Sequence, residues 1–338
     1  MISGSGALRR VGPGWWSVRL SHGILANDRG GALLFALLVV IVLAATVFAF
    51  SDASQLDARL ARNFRDGMRA LYLARAGVEY AMAILAEDDN DFDTLFEEWA
   101  QGTHELKFDG GIAQVRILDE ERKLNLNLLT METDIGEGPF LEIFQRLFDE
   151  LAVSRTFLAY LIDWMDPDSD ESAPGGEGGL YEDLPRPYPV KNAPMDTLTE
   201  LAAVGGVGDS IFEKLAVGGS EAPAQVDENP YLTVYSSEEV NINTANAVVL
   251  TSLSPVITGE VAQKIVSCRE THPFEEPSDL RDVPVVRDVF GDIQDIITTH
   301  SQNFLIVATA EVDGVVRRIT AHVERIGEEV SIQYWCLD

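Results

Sequence analysis

Residues Gly31 to Phe50 read GALLFALLVVIVLAATVFAF, and this run limits every other assignment in the chain. It holds no charged residue, and Thr46 is its one polar side chain. About 20 apolar residues at ~1.5 Å each match the ~30 Å hydrocarbon core of a bilayer. Arg9, Arg10, Arg19 and Arg29 precede it against a single acid, Asp28. A basic flank before an apolar span places the N-terminus in the cytoplasm and the rest of the chain outside it. A cleaved secretory signal has a shorter apolar core, roughly 7–15 residues.

The helical pattern continues past Phe50. Leu56, Leu60, Phe64, Met68, Leu71, Met82 and Leu85 recur at spacings of one helical stripe, with Arg59, Arg62, Arg65, Asp66, Arg69 and Glu79 on other faces. No proline lies between Gly14 and Pro139, so nothing forces a break. The spacing predicts one helix over residues 32 to 86, its first half in lipid and its second half under a globular domain.

Asp28-Arg29-Gly30 followed by Gly31-Ala32-Leu33-Leu34 resembles the type IV pilin and pseudopilin class. The resemblance implies removal of residues 1–30 by a prepilin peptidase cutting between Gly30 and Gly31. Most of that class carry Glu at the fifth mature position, where it neutralises the amino terminus of a neighbouring subunit. Phe35 stands there in this chain. A carboxylate in lipid is costly unless paired, so a subunit with no such neighbour is better served by an apolar residue. The Arg-Gly leader, the missing Glu and the large size together resemble the minor pseudopilin K family of type II secretion (general secretion pathway protein K, GspK).

A chain of 338 residues with 46% apolar side chains can build two or three packed domains. Removing the leader, with its four arginines and one aspartate, takes the formal net charge from −30 to −33. Such a surface repels nucleic acid and suits basic partners or divalent cations. Cys268 and Cys336 are enough for one disulfide in an oxidising compartment, and the sequence does not pair them.

Residues 87–98, EDDNDFDTLFEE, end the long helix; they read as a solvated acidic face with Phe92, Leu95 and Phe96 packing inward, in preference to a cation site. Residues 104–118 read as a hairpin turning at Asp109-Gly110-Gly111. The acidic turn Asp119-Glu120-Glu121 then leads to Leu124-Asn125-Leu126-Asn127-Leu128, which resembles the N-L-N-x-L segment of pseudopilin K. Asn125 and Asn127 are expected to bond backbone groups there. Residues 138–165 read as helical, ending in Ile162-Asp163-Trp164-Met165.

The stretch that follows is dense in acids: Asp163, Asp166, Asp168, Asp170, and then Glu177, Glu182 and Asp183 across a glycine-rich loop. Calcium takes 6–8 oxygen ligands, which flexible acidic loops provide. Asp166, Asp168 and Asp170 have the spacing of the first half of an EF-hand, but the glycine and distal Glu of that motif are missing. The acidic turn and the return Pro187-Tyr188-Pro189-Val190-Lys191-Asn192-Ala193-Pro194 resemble pseudopilin K, whose acidic loop binds calcium. The resemblance implies Ca²⁺ held by these seven carboxylates, although Gly178 and Gly179 stand where the family has Glu-Asp. Without a cation they would repel one another.

Thr197 and Glu200 make a capping-box pattern before a glycine turn and a second helical run over 196–217. Residues 240–283, opening with Asn241-Ile242-Asn243-Thr244-Ala245, repeat this plan. Both resemble helix-hairpin-helix units, the second those of DNA-uptake receptors. A phosphate-binding hairpin needs glycine N–H groups with basic residues beside them. Ser254-Pro255-Val256-Ile257-Thr258-Gly259 has lost the central glycines, so these units read as packing modules. At the end, Asp313-Gly314 joins two alternating runs as a hairpin, and Val330–Trp335 reads as a further strand. Five scattered histidines, no nucleophile elbow and no P-loop argue against an enzyme.

The expected fold is α+β: a pilin-like long N-terminal transmembrane helix packed on a small antiparallel sheet, with a large all-α insertion holding two helix-hairpin-helix or SAM-like units. Expected boundaries are a leader at 1–30, the membrane half of the helix at 31–50, the pilin-like domain at 51–129 and 301–338, and the insertion at 130–300 with its acidic loop at 163–183. The resemblance implies a minor pseudopilin that caps the tip of a periplasmic pseudopilus and primes its assembly. Its partners would be the I- and J-type minor pseudopilins, the major pseudopilin, the prepilin peptidase, the inner-membrane assembly platform and the lipid bilayer, with no nucleic acid. The alternative is a membrane-anchored DNA-uptake protein.

Overall fold

The computed structural model describes residues 28–89, 91–130, 138–168, 176, 178–206, 208–216, 228–288 and 290–337. The expected leader, apart from residues 28–30, lies outside them. Helix α1 is Asp28–Glu87. The chain divides into two compact units, Met1–Asn63 and Phe64–Asp338. In the first, the apolar side chains from Leu33 to Phe50 are exposed rather than packed on protein, as a helix made for lipid requires.

In the second unit, strands β1 (His104–Phe108) and β2 (Gly111–Asp119) form the expected hairpin, with Gly110 at φ +92° in its turn. At the other end of the chain lie β7 (Asn303–Val312), β8 (Val315–Ile326) and β9 (Glu329–Leu337). All five join one antiparallel sheet in the order β1-β2-β7-β8-β9. Asp313 and Gly314 both have positive φ, the turn that suits the twist of a two-residue hairpin. One face of the sheet packs on α1 through Val115, Ile117, Ile306, Ala308, Ile319 and Ala321.

The buried stripe of α1 keeps Leu85 of the expected one, with Leu71 and Met82 packed against the same core, and departs from it elsewhere. It consists of Ala70, Ala74, Gly77, Val78, Ala81 and Leu85, while Leu56, Leu60 and Phe64 are exposed. Small residues win because the sheet comes close: a Cβ on Gly77 would lie 2.8 Å from Val115 Cγ2 and 3.3 Å from Ala308 Cβ. Asp66, expected on an outer face, is buried and accepts a hydrogen bond from Arg65 Nε at 2.8 Å. After α1, Leu95 and Phe96 also turn outward, and Asp93, Thr94 and Trp99 take the interior instead.

Between β2 and β7 the chain makes its insertion. In order come β3 (Leu124–Asn125), α2 (Pro139–Glu150), α3 (Thr156–Met165), α4 (Gly178–Glu182), a 3-10 turn (Leu198–Ala203), α5 (Asp209–Ala216) and β4 (Leu232–Thr233). Then follow β5 (Val240–Asn241), α6 (Ala247–Leu253), α7 (Gly259–Thr271), a 3-10 turn (Pro277–Asp282), α8 (Phe290–Ile293) and β6 (Ile297–Thr298). The two-residue strands pair in parallel, β3 with β4 and β5 with β6. Ile143, Phe144, Leu147 and Phe148 of α2 share a second core with Val249 and Leu250 of α6.

The helical run expected over 138–165 breaks in two. Ala152 N–H donates to Asp149 O at 3.1 Å, Val153 N–H donates to Phe148 O at 2.8 Å, and Ala152 has φ +49°. This is a Schellman ending with alanine in the left-handed place usually given to glycine, and Val153 and Phe148 are both buried beside it. The expected capping box of Thr197 and Glu200 is present, but it opens a 3-10 turn rather than an α-helix.

Candidate functional site

Gly30 and Gly31, the expected cleavage pair, both lie within α1, and nothing stands within 4 Å of where a Gly31 Cβ would be.

The acidic turn begins at the end of α3. Asp163 is fully buried and accepts the Gly176 N–H at 2.8 Å. Asp166 is also buried, and its N–H closes α3 on Ile162 O at 2.8 Å. Asp168, Glu182 and Asp183 are exposed; Asp170 and Glu177 lie outside the described residues. The return segment clamps the turn through one residue. Asn192 donates its N–H to Trp164 O at 3.0 Å and Nδ2–H to Asp168 O at 2.5 Å. It sits at φ +48°, and its Oδ1 is buried with no hydrogen-bond partner among the described residues. Two buried carboxylates on the turn and an orphaned amide oxygen on the return segment are donor types that suit a hard cation. Sequence reasoning named Asn192 only as part of the return. The signal for a larger role was its residue type, since Asn is the side-chain-bearing residue best able to hold a left-handed backbone. Trp164, Tyr181 and Tyr188 pack beside the turn, with ring centroids 5.4–6.3 Å apart.

Among the described residues, the three carboxylates that converge to within 4.8 Å lie elsewhere: Asp88, Asp93 and Glu97. They are already countered. Arg325 on β8 donates to Asp88 Oδ2 at 2.7 Å and to Asp93 Oδ1 at 2.5 Å. His300 Nδ1 is 3.2 Å from Asp93, a contact that raises the histidine pKa. Burial pushes Glu97 up to about 7 despite the Trp99 and Thr94 donors that favour its charged form. Asp88 and Asp93 therefore lock the end of α1 to the sheet, whereas Glu87, Asp89, Asp91 and Glu98 are exposed as a solvated acidic face would have them.

A second polar layer lies where the chain leaves the sheet. Asp119, Glu120, Glu121 and Lys123 are all buried. Lys123 bonds Glu120, which also accepts from Thr233. Asp119 accepts from Thr244 Oγ1 at 2.5 Å, and Glu121 accepts from Asn303 Nδ2 at 2.7 Å. Burial raises Asp119 to about 6 and holds Glu121 well above the usual carboxylate range. Asn125 and Asn127 bond backbone as expected: Asn125 Nδ2 donates to Ser236 O, and Asn127 bridges both polar atoms of the Met195 backbone. Higher on the outer face, Arg116 and Arg318 both grip Glu228, and His322 stacks on Tyr235 at 3.6 Å. These contacts seat the insertion on the sheet face opposite α1.

Helices α6 and α7 form the expected hairpin. Its turn contains Pro255, and Thr258 caps α7 by accepting the Val261 N–H at 3.4 Å. Asn243 ties the unit together through Phe274, donating to its O at 2.9 Å and accepting its N–H at 3.0 Å. Cys268 and Cys336 are not bonded to each other.

Residues 122–217 match the model for type II secretion system protein K, and residues 236–289 match the helix-hairpin-helix motif. The type II secretion system protein K of Aeromonas hydrophila is 26% identical over 84% of this chain and 88% of its own. That of Klebsiella pneumoniae is 23% identical over 82% of this chain and 87% of its own. The fold is also that of a solved chain in the GspK-GspI-GspJ complex of the enterotoxigenic Escherichia coli type 2 secretion system. The match has a TM-score of 0.71 at 18% identity and covers 82% of this chain and 99% of that one.

Proposed function

We propose, for a chain that belongs to the type II secretion system protein K family, the role of minor pseudopilin: a membrane-anchored structural subunit that caps the tip of the periplasmic pseudopilus and primes its assembly. The observation that carries this reading is the combination of α1 with an insertion seated between adjacent strands β2 and β7. The helix supplies the one membrane anchor found among the described residues. The insertion enlarges the body in a way that suits a terminal position, and Phe35 needs no neighbouring amino terminus above it. GspI- and GspJ-type pseudopilins are the partners, as in the solved complex of the structural neighbour. The arginines before Gly31 orient the N-terminus to the cytoplasm and the body to the periplasm. The prepilin peptidase, the major pseudopilin and the assembly platform act on the same subunit before and during its extraction.

The test is the intact mass of the full-length protein from membranes with and without prepilin peptidase. Loss of residues 1–30 only in the presence of the peptidase is expected. An uncut chain in both overturns the filament role.

The acidic turn is a calcium site in this reading. Asp163, Asp166 and Asn192 would hold the ion, together with carboxylates of the adjoining loop. Bound calcium would neutralise the repulsion among these acids and pin the return segment to α3. Terbium titrated into the protein should luminesce on excitation of the neighbouring Trp164, and calcium should quench that signal. Asp163→Asn together with Asp166→Asn should abolish it.

The helix-hairpin-helix match does not favour DNA binding, because the turn offers phosphate a proline in place of N–H donors and α7 opens with Glu260.

A further inference from the structure

The two edges of the sheet are built differently. Strand β1 carries His104, Glu105 and Lys107, with Lys107 and Glu105 paired at 3.1 Å. Charges on an edge strand discourage pairing with another chain. Strand β9 has no charged residue from Val330 to Leu337, in a chain where 24% of residues are charged. Ile332, Trp335 and Leu337 are 42%, 51% and 50% exposed.

These three side chains share a face. They stand opposite Val323, Ala321 and Ile319 of β8, which lie in the core under α1. Strand β9 therefore turns an apolar row toward the α1 side but extends past the cover that the helix gives. A cleft of about 320 Å³ remains between them, lined by Val78, Ile319, Ile332 and Trp335, with Arg75 and Glu79 at its rim. The rim residues face each other at 3.9 Å. Beyond the cleft, α1 carries a further stripe toward its N-terminal side. Phe64, Met68, Leu71, Arg75 and Val78 follow one another at spacings of three and four, and Phe64 is 74% exposed.

We propose that this cleft is a docking surface for an extended, uncharged strand from the body of a neighbouring minor pseudopilin; the inference rests on the pseudopilin role given above. An edge strand is completed by another extended chain. The charged residues lining the cleft, Arg75 and Glu79, balance to zero, so the cleft favours an uncharged chain over a strongly charged one. A second copy of this chain is disfavoured by the repulsion of two bodies at −33 each. A subunit lying along the Phe64–Val78 stripe covers the helix and the cleft together.

The test uses the full chain in membranes, produced together with the I- and J-type pseudopilins. A benzoylphenylalanine photo-crosslinker replaces Trp335 in one variant and Lys107 on β1 in another. Crosslinking to a pseudopilin is expected from position 335 and not from position 107. Trp335→Glu, at an exposed position, should cut pseudopilin co-purification at least tenfold with the melting temperature held within a degree or two, and Lys107→Glu should not. Undiminished co-purification with Trp335→Glu overturns the proposal and leaves the pseudopilin role standing. Crosslinks from 335 only to a second copy of the chain, or only to an unrelated protein, also overturn it. If the unmodified chain recovers no pseudopilin, the role and the proposal fall together.

Discussion

Gly77 sets how closely helix and sheet approach. Alanine there must displace Val115 and Ala308, which are fully buried in a packed core. Overpacking of this kind costs about 1–3 kcal/mol, so Gly77→Ala should lower the urea midpoint at an unchanged m-value. Charge at single residues is also measurable. Glu97 titrates at about 7 in the folded state, so the native protein holds a proton that the unfolded chain has released. The stability linked to it is complete below about pH 4.5 and is lost as the pH rises through 7. Glu97→Gln should therefore gain on the wild type between pH 5 and 8. His322 behaves in the opposite sense. Burial lowers it to about 4, and neither ring nitrogen has a hydrogen-bond partner among the described residues. Its contribution is complete above pH 6.5 and is lost as the pH falls toward 4. His322→Phe keeps a ring against Tyr235 and should gain on the wild type over that acid range. Urea midpoints at pH 4.5, 6 and 7.5 read both effects. None of this was visible in sequence, because burial of a titratable side chain depends on contacts between distant segments.

At the scale of elements, local chemistry was legible and partner distance was not. The turns at Gly110 and at Asp313-Gly314 and the cap of Thr197 with Glu200 follow from a few adjacent residues, and the structure has each of them. The end of α2 was missed because alanine occupies a position that normally announces itself with glycine. That position gives a clean prediction. Ala152→Gly removes the left-handed penalty of about 1 kcal/mol and should raise thermal stability by that amount, which calorimetry would detect. The face of α1 was misjudged for a related reason. Large apolar residues mark a helix stripe in sequence, but where the sheet lies closest, at Ala74, Gly77 and Ala81, only small ones fit, and Leu56, Leu60 and Phe64 are left exposed. In the acidic turn, Asp163 and Asp166 were named from the sequence, whereas Asn192 emerged only from the clamp it makes across 24 residues of chain.

At the scale of the whole molecule, Glu228 is one of the groups that fasten the insertion to the outer face of the sheet. Glu228 takes both Arg116 and Arg318, so its removal leaves two arginines on the sheet without their acid. Glu228→Ala should cost about 1–3 kcal/mol. It should also speed hydrogen exchange around Tyr231–Ser236 while leaving β7 and β8 protected, which separates loosening of the insertion from loss of the sheet. The sheet itself carries a further consequence, for the order of folding. Asp119 pairs with Phe304 at the end of the β2–β7 ladder, so β2 must wait for β7 until nearly the whole chain has been synthesised. Closing a loop of that length costs about 5 kcal/mol in chain entropy before any pairing repays it. The β1–β2 and β7–β9 hairpins can form early, each with one raw inner edge, and the insertion must collapse on its own core to bring those edges together. Assembly of the body is then a late clasp between the two ends of the chain, and a subunit released before that moment would expose two unpaired strands.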